Sequence, residues 1–393
     1  MRLMDPALLD EIKIIDTDTH VVEPPDLWTS RVSVRKWGSL VPHIRPDASG
    51  DPAWFVGDQR MLGVAAAAMA GWHEYQPDHP LRLEDADRAA WDPAARLKRM
   101  DEDGIHAQVL YPNVAGFGGG NFTKVENPDL MLDLVRAYND FLTDFAGVAP
   151  GRYIPISAVP FWDLELAAKE IDRVAAAGHK GLIMTAAPEN WGQPFLEDPH
   201  WDPLWAKAQE VGLPINFHIG SGDISAYPTH PGGKHANSAS LAVLNFMGNA
   251  AAIVRVICGG ICHRFPELNI VSVESGVGWI PFALEALDWQ WYNCGVPQEH
   301  PEYELSPKEY FLRQVYGCFW FERDTAMSAI SQVGARNFMY ETDFPHPTSM
   351  TPGPASIATT PREYLLAAMA DLPDETVRLL LQDNAARIYH LDL

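Results

Sequence analysis

The chain has 393 residues, of which 47% are hydrophobic and 21% are charged, so it can bury a large core and is not a disordered segment. Its 52 acidic residues outnumber its 29 basic ones and give a formal net charge of −23. Such a charge repels nucleic acid and anionic membrane surfaces, so we expect neither as a partner.

The predicted elements alternate short apolar runs with longer amphipathic stretches. Eight runs predict strands, at residues 13–20, 107–114, 153–160, 180–186, 213–220, 268–276, 315–322 and 337–344. Helical periodicity lies between and after them, at residues 128–148, 163–177, 200–211, 236–256, 278–293, 323–333, 361–369 and 373–389. The strand runs are almost continuously apolar, as in parallel strands buried on both faces. We therefore predict an α/β fold, a (β/α)8 TIM barrel, with a doubly wound sheet as the alternative.

The chain is longer than a minimal barrel, which needs about 250 residues. Much of the surplus lies between the first strand and the first main helix, in a stretch rich in proline, glycine and tryptophan. We predict a single domain over residues 1–393 with a cap-like insertion at about residues 21–90, placed over the mouth of the barrel.

The N-terminal segment and the cysteines predict the cellular compartment of the protein. Residues 1–13 lack the apolar segment of a secretory signal, and no apolar run reaches the length of a membrane span. Four cysteines in a chain of this length do not form a disulfide framework, and we expect buried free thiols. A cytoplasmic protein is the prediction.

Polar residues of ligand type stand where several of the predicted strands end. Asp18 and His20 end the first strand, and their two-residue spacing places them on one side of it. His218 ends the fifth, Glu274 the sixth, and Asp343 the eighth, with His346 three residues later. A single residue of this kind is more often a cap. Because a barrel gathers its strand ends at one rim, the set together favours a divalent metal site.

Four segments also resemble a known family. They are DTDTHVVEP, NFHIG, GGICHRFPELNIVSVESGVGWIPF and YETDFPHP. They are similar to the amidohydrolase-related family that includes aminocarboxymuconate-semialdehyde decarboxylase, and the resemblance covers nearly the whole chain in order. It implies a TIM barrel with one divalent metal, held here by Asp18, His20, His218 and Asp343. Zinc is the expected ion, with manganese or iron as alternatives, and a dimer is the expected assembly.

This sequence departs from the family at two positions. Asp18 stands where His or Glu is more common, which keeps a ligand but shifts the site toward oxygen donors. Glu274 stands where the decarboxylases carry a histidine, so it is open as a further ligand, a general base or a partner of a ligating histidine. Lys180 lies at the start of the fourth strand, not at its end, so a bridging carboxylated lysine is not expected and one metal is.

The predicted function is a divalent-metal-dependent non-oxidative decarboxylase acting on a small aromatic or unsaturated carboxylic acid. Asp343, Glu274 and His346 are the candidate acids that would protonate the substrate. A metal-dependent hydrolase of an amide, ester, lactone or C–C bond is the first alternative, favoured by Glu274. A non-catalytic metal-binding or ligand-binding barrel is the second.

Weaker candidates lie in two loops. The Gly-rich stretch at residues 117–121 does not match a phosphate-binding pattern, so we expect a flexible loop at the rim. His230 and His235 follow the fifth strand and are either solvated or close enough to reach the site.

Overall fold

The computed structural model describes residues 5–116, 118, 120–221 and 231–393. Eight parallel strands form one sheet, in the order β1, β5, β6, β7, β8, β9, β10, β11. Their bounds are Ile15–His20 (β1), Ala107–Tyr111 (β5), Tyr153–Ala158 (β6), Gly181–Ile183 (β7), Ile215–His218 (β8), Ile270–Val273 (β9), Val315–Phe319 (β10) and Phe338–Tyr340 (β11). Every residue of these strands is buried. All eight strand predictions are confirmed.

The last strand meets the first through the residues that follow β11. The His20 amide donates to the carbonyl of Phe344 at 2.7 Å, and the Asp343 amide donates to the carbonyl of Asp18 at 2.9 Å. The buried Asp16 carboxylate reinforces this closure by accepting from the Thr342 amide at 2.8 Å and from its hydroxyl at 2.6 Å. The predicted barrel is thereby confirmed, and the ends of β1 and β11 are held side by side.

Helices cover the outside of the barrel and have recognisable start and stop signals. Helices of eight residues or more span Pro93–Asp103, Pro128–Gly147, Leu164–Ala176, Asp202–Val211, Lys234–Phe246, Gly248–Cys258, Ile280–Asn293, Pro307–Gln314, Asp324–Val333 and Pro361–Ala368. The first is typical: Asp92 caps its N-terminus by accepting from the Ala95 amide, and Gly104, with a φ of 72°, ends it in a left-handed conformation. The chain closes with α-helical Asp374–Arg378, π-helical Leu379–Asp383 and α-helical Asn384–Ile388.

One predicted helix is divided in two, and one helix was not predicted. Residues 236–256 were expected to form one helix, but a turn at Met247 divides the segment into Lys234–Phe246 and Gly248–Cys258. The helix Pro307–Gln314, which precedes β10, was missed. Its signal was present, because Ser306 and Glu309 form a capping box around Pro307.

Residues between β1 and the helix Pro93–Asp103 form a small separate sheet. Its antiparallel strands are His43–Pro46 (β2), Pro52–Val56 (β3) and Gln59–Gly63 (β4), with short helices at Leu27–Arg31 and Val34–Trp37 before it. This sheet was not predicted, because Pro and Gly obscure the alternation of its strands. The amides of Met69 and Ala70 both donate to the Pro345 carbonyl at 2.9 Å. The insertion therefore contacts the loop that follows β11.

The helical segment Lys234–Cys258 is long and apolar enough, by length and composition, to cross a membrane, with a mean hydropathy of 1.8. It is the one such segment among the described residues, and only 28% of its most apolar stretch is buried. In this fold it joins β8 to β9, so it occupies the position of a barrel helix.

The four cysteines are free, as expected. The expectation that all of them are buried was wrong for two. Cys262 and Cys318 are buried, but Cys258 and Cys294 are exposed, because each lies where a helix ends at the surface.

Candidate metal centre

The six residues predicted from the strand ends lie together at one rim of the barrel. All six are buried. Their ligand atoms fall into two overlapping groups whose members are all within 4.8 Å of one another: one contains Asp18, His20, His218 and Glu274, and the other contains His20, Glu274, Asp343 and His346. The strand ends thus bring together residues that are up to 328 positions apart in sequence.

The two central histidines present lone pairs to each other. His20 Nδ1 lies 3.0 Å from the carbonyl oxygen of Pro112, and His218 Nδ1 lies 2.8 Å from that of Ile219. A carbonyl only accepts, so each Nδ1 carries the hydrogen and each Nε2 is left with a lone pair. The two Nε2 atoms are 3.1 Å apart. Two lone pairs at this distance repel unless a cation or a proton lies against them.

The separations in the cluster match those between ligands of one divalent ion. Two nitrogens about 2.1 Å from a zinc ion and about 90–110° apart are separated by about 3.0–3.4 Å. Asp18 Oδ1 lies 3.4 Å from His20 Nε2 and 3.6 Å from His218 Nε2. Both oxygens of Asp18 are buried, and neither has a hydrogen-bonding partner among the described residues. A mixed set of imidazole and carboxylate donors with orphaned oxygens fits a divalent cation.

Two carboxylates on the neighbouring strand ends complete the cluster. Glu274 Oε2 lies 3.3 Å from His218 Nε2, and Asp343 Oδ1 lies 3.5 Å from His20 Nε2. The hydroxyl of Thr348 lies between the two carboxylates, 3.2 Å from Glu274 and closer to Asp343, to which it donates its one hydrogen. Glu274 and Asp343 have φ values of 55° and 56°, a region that non-glycine residues rarely adopt. Such local strain is typical of functional sites, where the surrounding structure imposes it.

The electrostatics of these groups reflect their burial. Burial raises the pKa of Asp343 well above its usual range, and the charge of Asp18 adds to the effect. Burial likewise raises the pKa of Glu274, to which the charge of Asp343 contributes. A bound cation would reverse both shifts by stabilising the ionised carboxylates. Burial also lowers the pKa of His346 to about 3, so its imidazole is neutral.

His346 connects the cluster to its surroundings. Its ring stacks on that of His20, with centroids 3.5 Å apart, and its Nδ1 lies 2.9 Å from Asp343 Oδ1. Its Nε2 lies 2.7 Å from Asn113 Oδ1. The Asn113 amide nitrogen donates to the Val21 carbonyl, which fixes its oxygen toward His346 and makes Nε2 the donor.

Three further residues of the site, Asn113, Thr348 and Glu23, were not predicted from the sequence. The buried Glu23 accepts from the amides of Asn113 and Val114, each at 2.8 Å, and so fixes the loop that carries Asn113. Glu23 belongs to the DTDTHVVEP segment, so its place in the motif was the one available signal. Asn113 and Thr348 are ordinary loop residues in sequence, and only their contacts reveal them.

The remaining sequence candidates lie elsewhere. The exposed His235 has its Nδ1 2.6 Å from the Gln76 carbonyl, and His230 lies outside the described residues. Lys180 donates to the His390 carbonyl at the opposite end of the barrel, as its position before β7 implies. Of the Gly-rich stretch 117–121, Phe117 and Gly119 lie outside the described residues, while Gly120 packs against the indole of Trp191.

Beside the cluster of candidate metal ligands lies a cavity of about 430 Å³. His346 and Asn113 line its inner side, and its walls come from the insertion (residues 60–67), the loop after β5 and the indole of Trp191. A concave site of this size next to converging polar side chains is typical of small-molecule binding.

Comparison with known proteins agrees with the fold and with the resemblance. The model of the amidohydrolase family matches residues 15–391. Gamma-resorcylate decarboxylase of Rhizobium sp. is 25% identical over an alignment of 262 positions, which covers 64% of this chain and 76% of that protein. Two solved structures have the same fold. An amidohydrolase from Mycobacterium avium subsp. paratuberculosis gives a TM-score of 0.75 at 22% identity and covers 96% of this chain and 99% of its own. A 5-carboxyvanillate decarboxylase from Novosphingobium aromaticivorans, in complex with manganese and 4-hydroxy-3-methoxy-5-nitrobenzoic acid, gives 0.66 at 20% identity and covers 97% and 96%. The relatives thus include decarboxylases, and the predicted family is confirmed: this chain belongs to the amidohydrolase family.

Proposed function

We propose that the protein is a metal-dependent non-oxidative decarboxylase of a small aromatic carboxylic acid. The proposal rests on the proximity of two features. One is a cluster of imidazoles and carboxylates that fits one divalent cation, and the other is the adjacent cavity lined by His346. The decarboxylase relatives support the reaction type.

Asp18, His20, His218 and Asp343 are the residues that we propose as ligands. A divalent ion held there supplies Lewis acidity toward the oxygens of the substrate. Zinc is our expectation from the resemblance, and manganese is its rival, since the carboxyvanillate decarboxylase structure holds it. Metal analysis of the purified protein distinguishes them.

The chain's own side chains would handle the proton. In decarboxylation the bond between a ring carbon and the carboxylate carbon breaks, the electron pair stays on the ring carbon, and a proton replaces carbon dioxide there. Of the three acids predicted from sequence, His346 lines the cavity, and Asp343 and Glu274 lie next to it in the cluster. We propose that His346 relays the proton: its Nε2–H goes to the ring carbon while its Nδ1 accepts a proton through the adjacent carboxyl group of Asp343, so the imidazole is neutral before and after the transfer. Asp343 also orients the ring of His346.

The test is carbon dioxide release from a panel of hydroxybenzoic and related aromatic acids by the metal-loaded enzyme. We expect turnover of at least one acid, loss of turnover in Asp343→Ala, and retention in His300→Ala, whose exposed ring pairs with Glu302 at 2.9 Å. Cleavage of an amide, ester or lactone without carbon dioxide release would establish the hydrolase alternative instead. Metal binding with neither reaction would leave a binding protein.

Three further points are proposed. Residues 21–90 would act as a cap, since part of this segment lines the cavity. A second copy of the chain would cover the exposed apolar side chains of Phe282, Trp289 and Met247, which sedimentation can test. A cytoplasmic location accords with the four free cysteines.

A further inference from the structure

The charge on the cavity walls is opposite to that of the whole chain. The protein has 52 acidic residues against 29 basic ones. Among the described residues that line the cavity, the charged ones are Arg60 and Lys124, both cationic, and none is an aspartate or a glutamate. A cationic wall in an otherwise anionic protein attracts anions to this cavity.

The two cationic side chains differ in how far an ion pair within the protein neutralises their charge. Arg60 donates from Nε to Asp47 Oδ2 at 2.9 Å, so part of its charge is neutralised within the insertion. Lys124 makes no ion pair with any residue of the described chain. Its ammonium lies 5.6 Å from the centroid of the Trp191 ring. The ammonium group of Lys124 can therefore form an ion pair with an anionic ligand.

The cavity wall around Lys124 contains the indole ring of Trp191, which its neighbours hold in a fixed orientation. The indole nitrogen of Trp191 donates to the Ser221 carbonyl at 3.3 Å, which fixes the orientation of the ring. Gly120 allows the close approach of that indole, because a Cβ at this position would overlap it. The cavity thus has an aromatic wall with a cation beside it. On its inner side lies His346, next to the cluster of candidate metal ligands.

We propose that Lys124 is a specificity-determining residue that binds a second carboxylate of the substrate. The preferred substrates would then be aromatic acids with two carboxylates, one that leaves as carbon dioxide and one that stays on the ring and pairs with Lys124. The product keeps that carboxylate and is a monoacid. This inference rests on the proposed decarboxylase function, whose active site it describes in more detail.

The experiment compares a dicarboxylic aromatic acid with the matched monocarboxylic acid, using the metal-loaded enzyme. We expect wild type to favour the dicarboxylate. In Lys124→Met the ratio of kcat/KM for the diacid to that for the monoacid should fall about tenfold, since hydrogen bonds between charged groups are strong but the exposure of this lysine to solvent weakens them. Lys124→Arg should restore the preference. Lys124→Glu should shift it toward an aromatic acid that carries an aminomethyl group.

Lys98→Met is the matched control. Its lysine is exposed and lies 3.6 Å from Glu102 on the helix Pro93–Asp103, away from the cavity. This variant should keep the wild-type preference. An unchanged diacid-to-monoacid ratio in Lys124→Met, or an equal fall in Lys98→Met, would overturn the inference.

Calorimetry separates this inference from the proposed function, because binding does not require turnover. Should monoacids be decarboxylated while Lys124→Met binds the diacid as tightly as wild type, the function stands and the inference fails. Should no acid be decarboxylated while diacid binding weakens about tenfold in Lys124→Met, the function fails and the anion-binding role of Lys124 stands.

Discussion

Removing the metal is the most direct test of the cluster at the barrel rim. With the His20 and His218 Nε2 atoms 3.1 Å apart and three buried carboxylates around them, the folded state holds a set of donors that the unfolded chain does not assemble. A divalent ion therefore binds the folded state in preference to the unfolded one. At a free concentration 100 times its Kd, such a ligand stabilises the folded state by about 2.7 kcal/mol.

This free energy translates into a measurable shift in melting temperature. For 393 residues the entropy of unfolding near 60 °C is about 0.8 kcal/mol/K, so about 2.7 kcal/mol corresponds to an increase in Tm of about 3 °C. Differential scanning fluorimetry of chelator-treated protein, with and without added zinc or manganese, measures it. His218→Ala should lose the shift, and His300→Ala should keep it.

Two results would refute the reasoning. One is a chelated wild-type protein whose Tm does not respond to either ion. The other is a His218→Ala variant that keeps both the shift and a full equivalent of bound metal, because the Nε2 of His218 is central to the cluster.

The other predictions concern the contacts around the site and the stability of the barrel. Asn113→Leu removes the acceptor for His346 Nε2–H, so kcat should fall about 10-fold or more with a changed pH profile, while the metal content should stay at wild-type level; an unaltered pH profile would argue against this role. Gly120→Ala should displace the indole of Trp191 and raise KM for aromatic acids several-fold, at a cost of about 1–3 kcal/mol in the free energy of unfolding; an unaltered KM would contradict it. Burial lowers the pKa of His179 to about 4 from its usual 6.5, so the unfolded chain takes up this proton first and stability falls as the pH drops from about 6.5 to 4, by about 3 kcal/mol. Urea unfolding of wild type and His179→Gln at pH 7 and pH 4.5 measures this, and equal pH dependence in both proteins would exclude it.

The barrel itself could be predicted because its signal is local and repeated. Each strand is a short apolar run buried on both faces, and each following helix has an apolar stripe, so eight repeats of the pattern identify the fold. The insertion lacked such a signal. Its outer strands β2 and β4 are short and only partly buried, so they have neither a continuous apolar run nor a clean alternation, and the apolar run of the central strand β3 stands alone between them.

The residues that meet at the rim could be predicted from the amino-acid sequence, because in a parallel barrel the carboxyl ends of all strands lie at the same face. Asp18, His20, His218, Glu274, Asp343 and His346 were identified on that basis and lie within one cluster. Their arrangement within the cluster depends on long-range contacts. The lone pairs of two histidines face each other because Pro112 and Ile219 accept from their Nδ1 atoms, and Asn113 reaches His346 because Glu23 holds its loop. These contacts join residues up to 233 positions apart, and no local pattern encodes a distance or a hydrogen-bond direction between them.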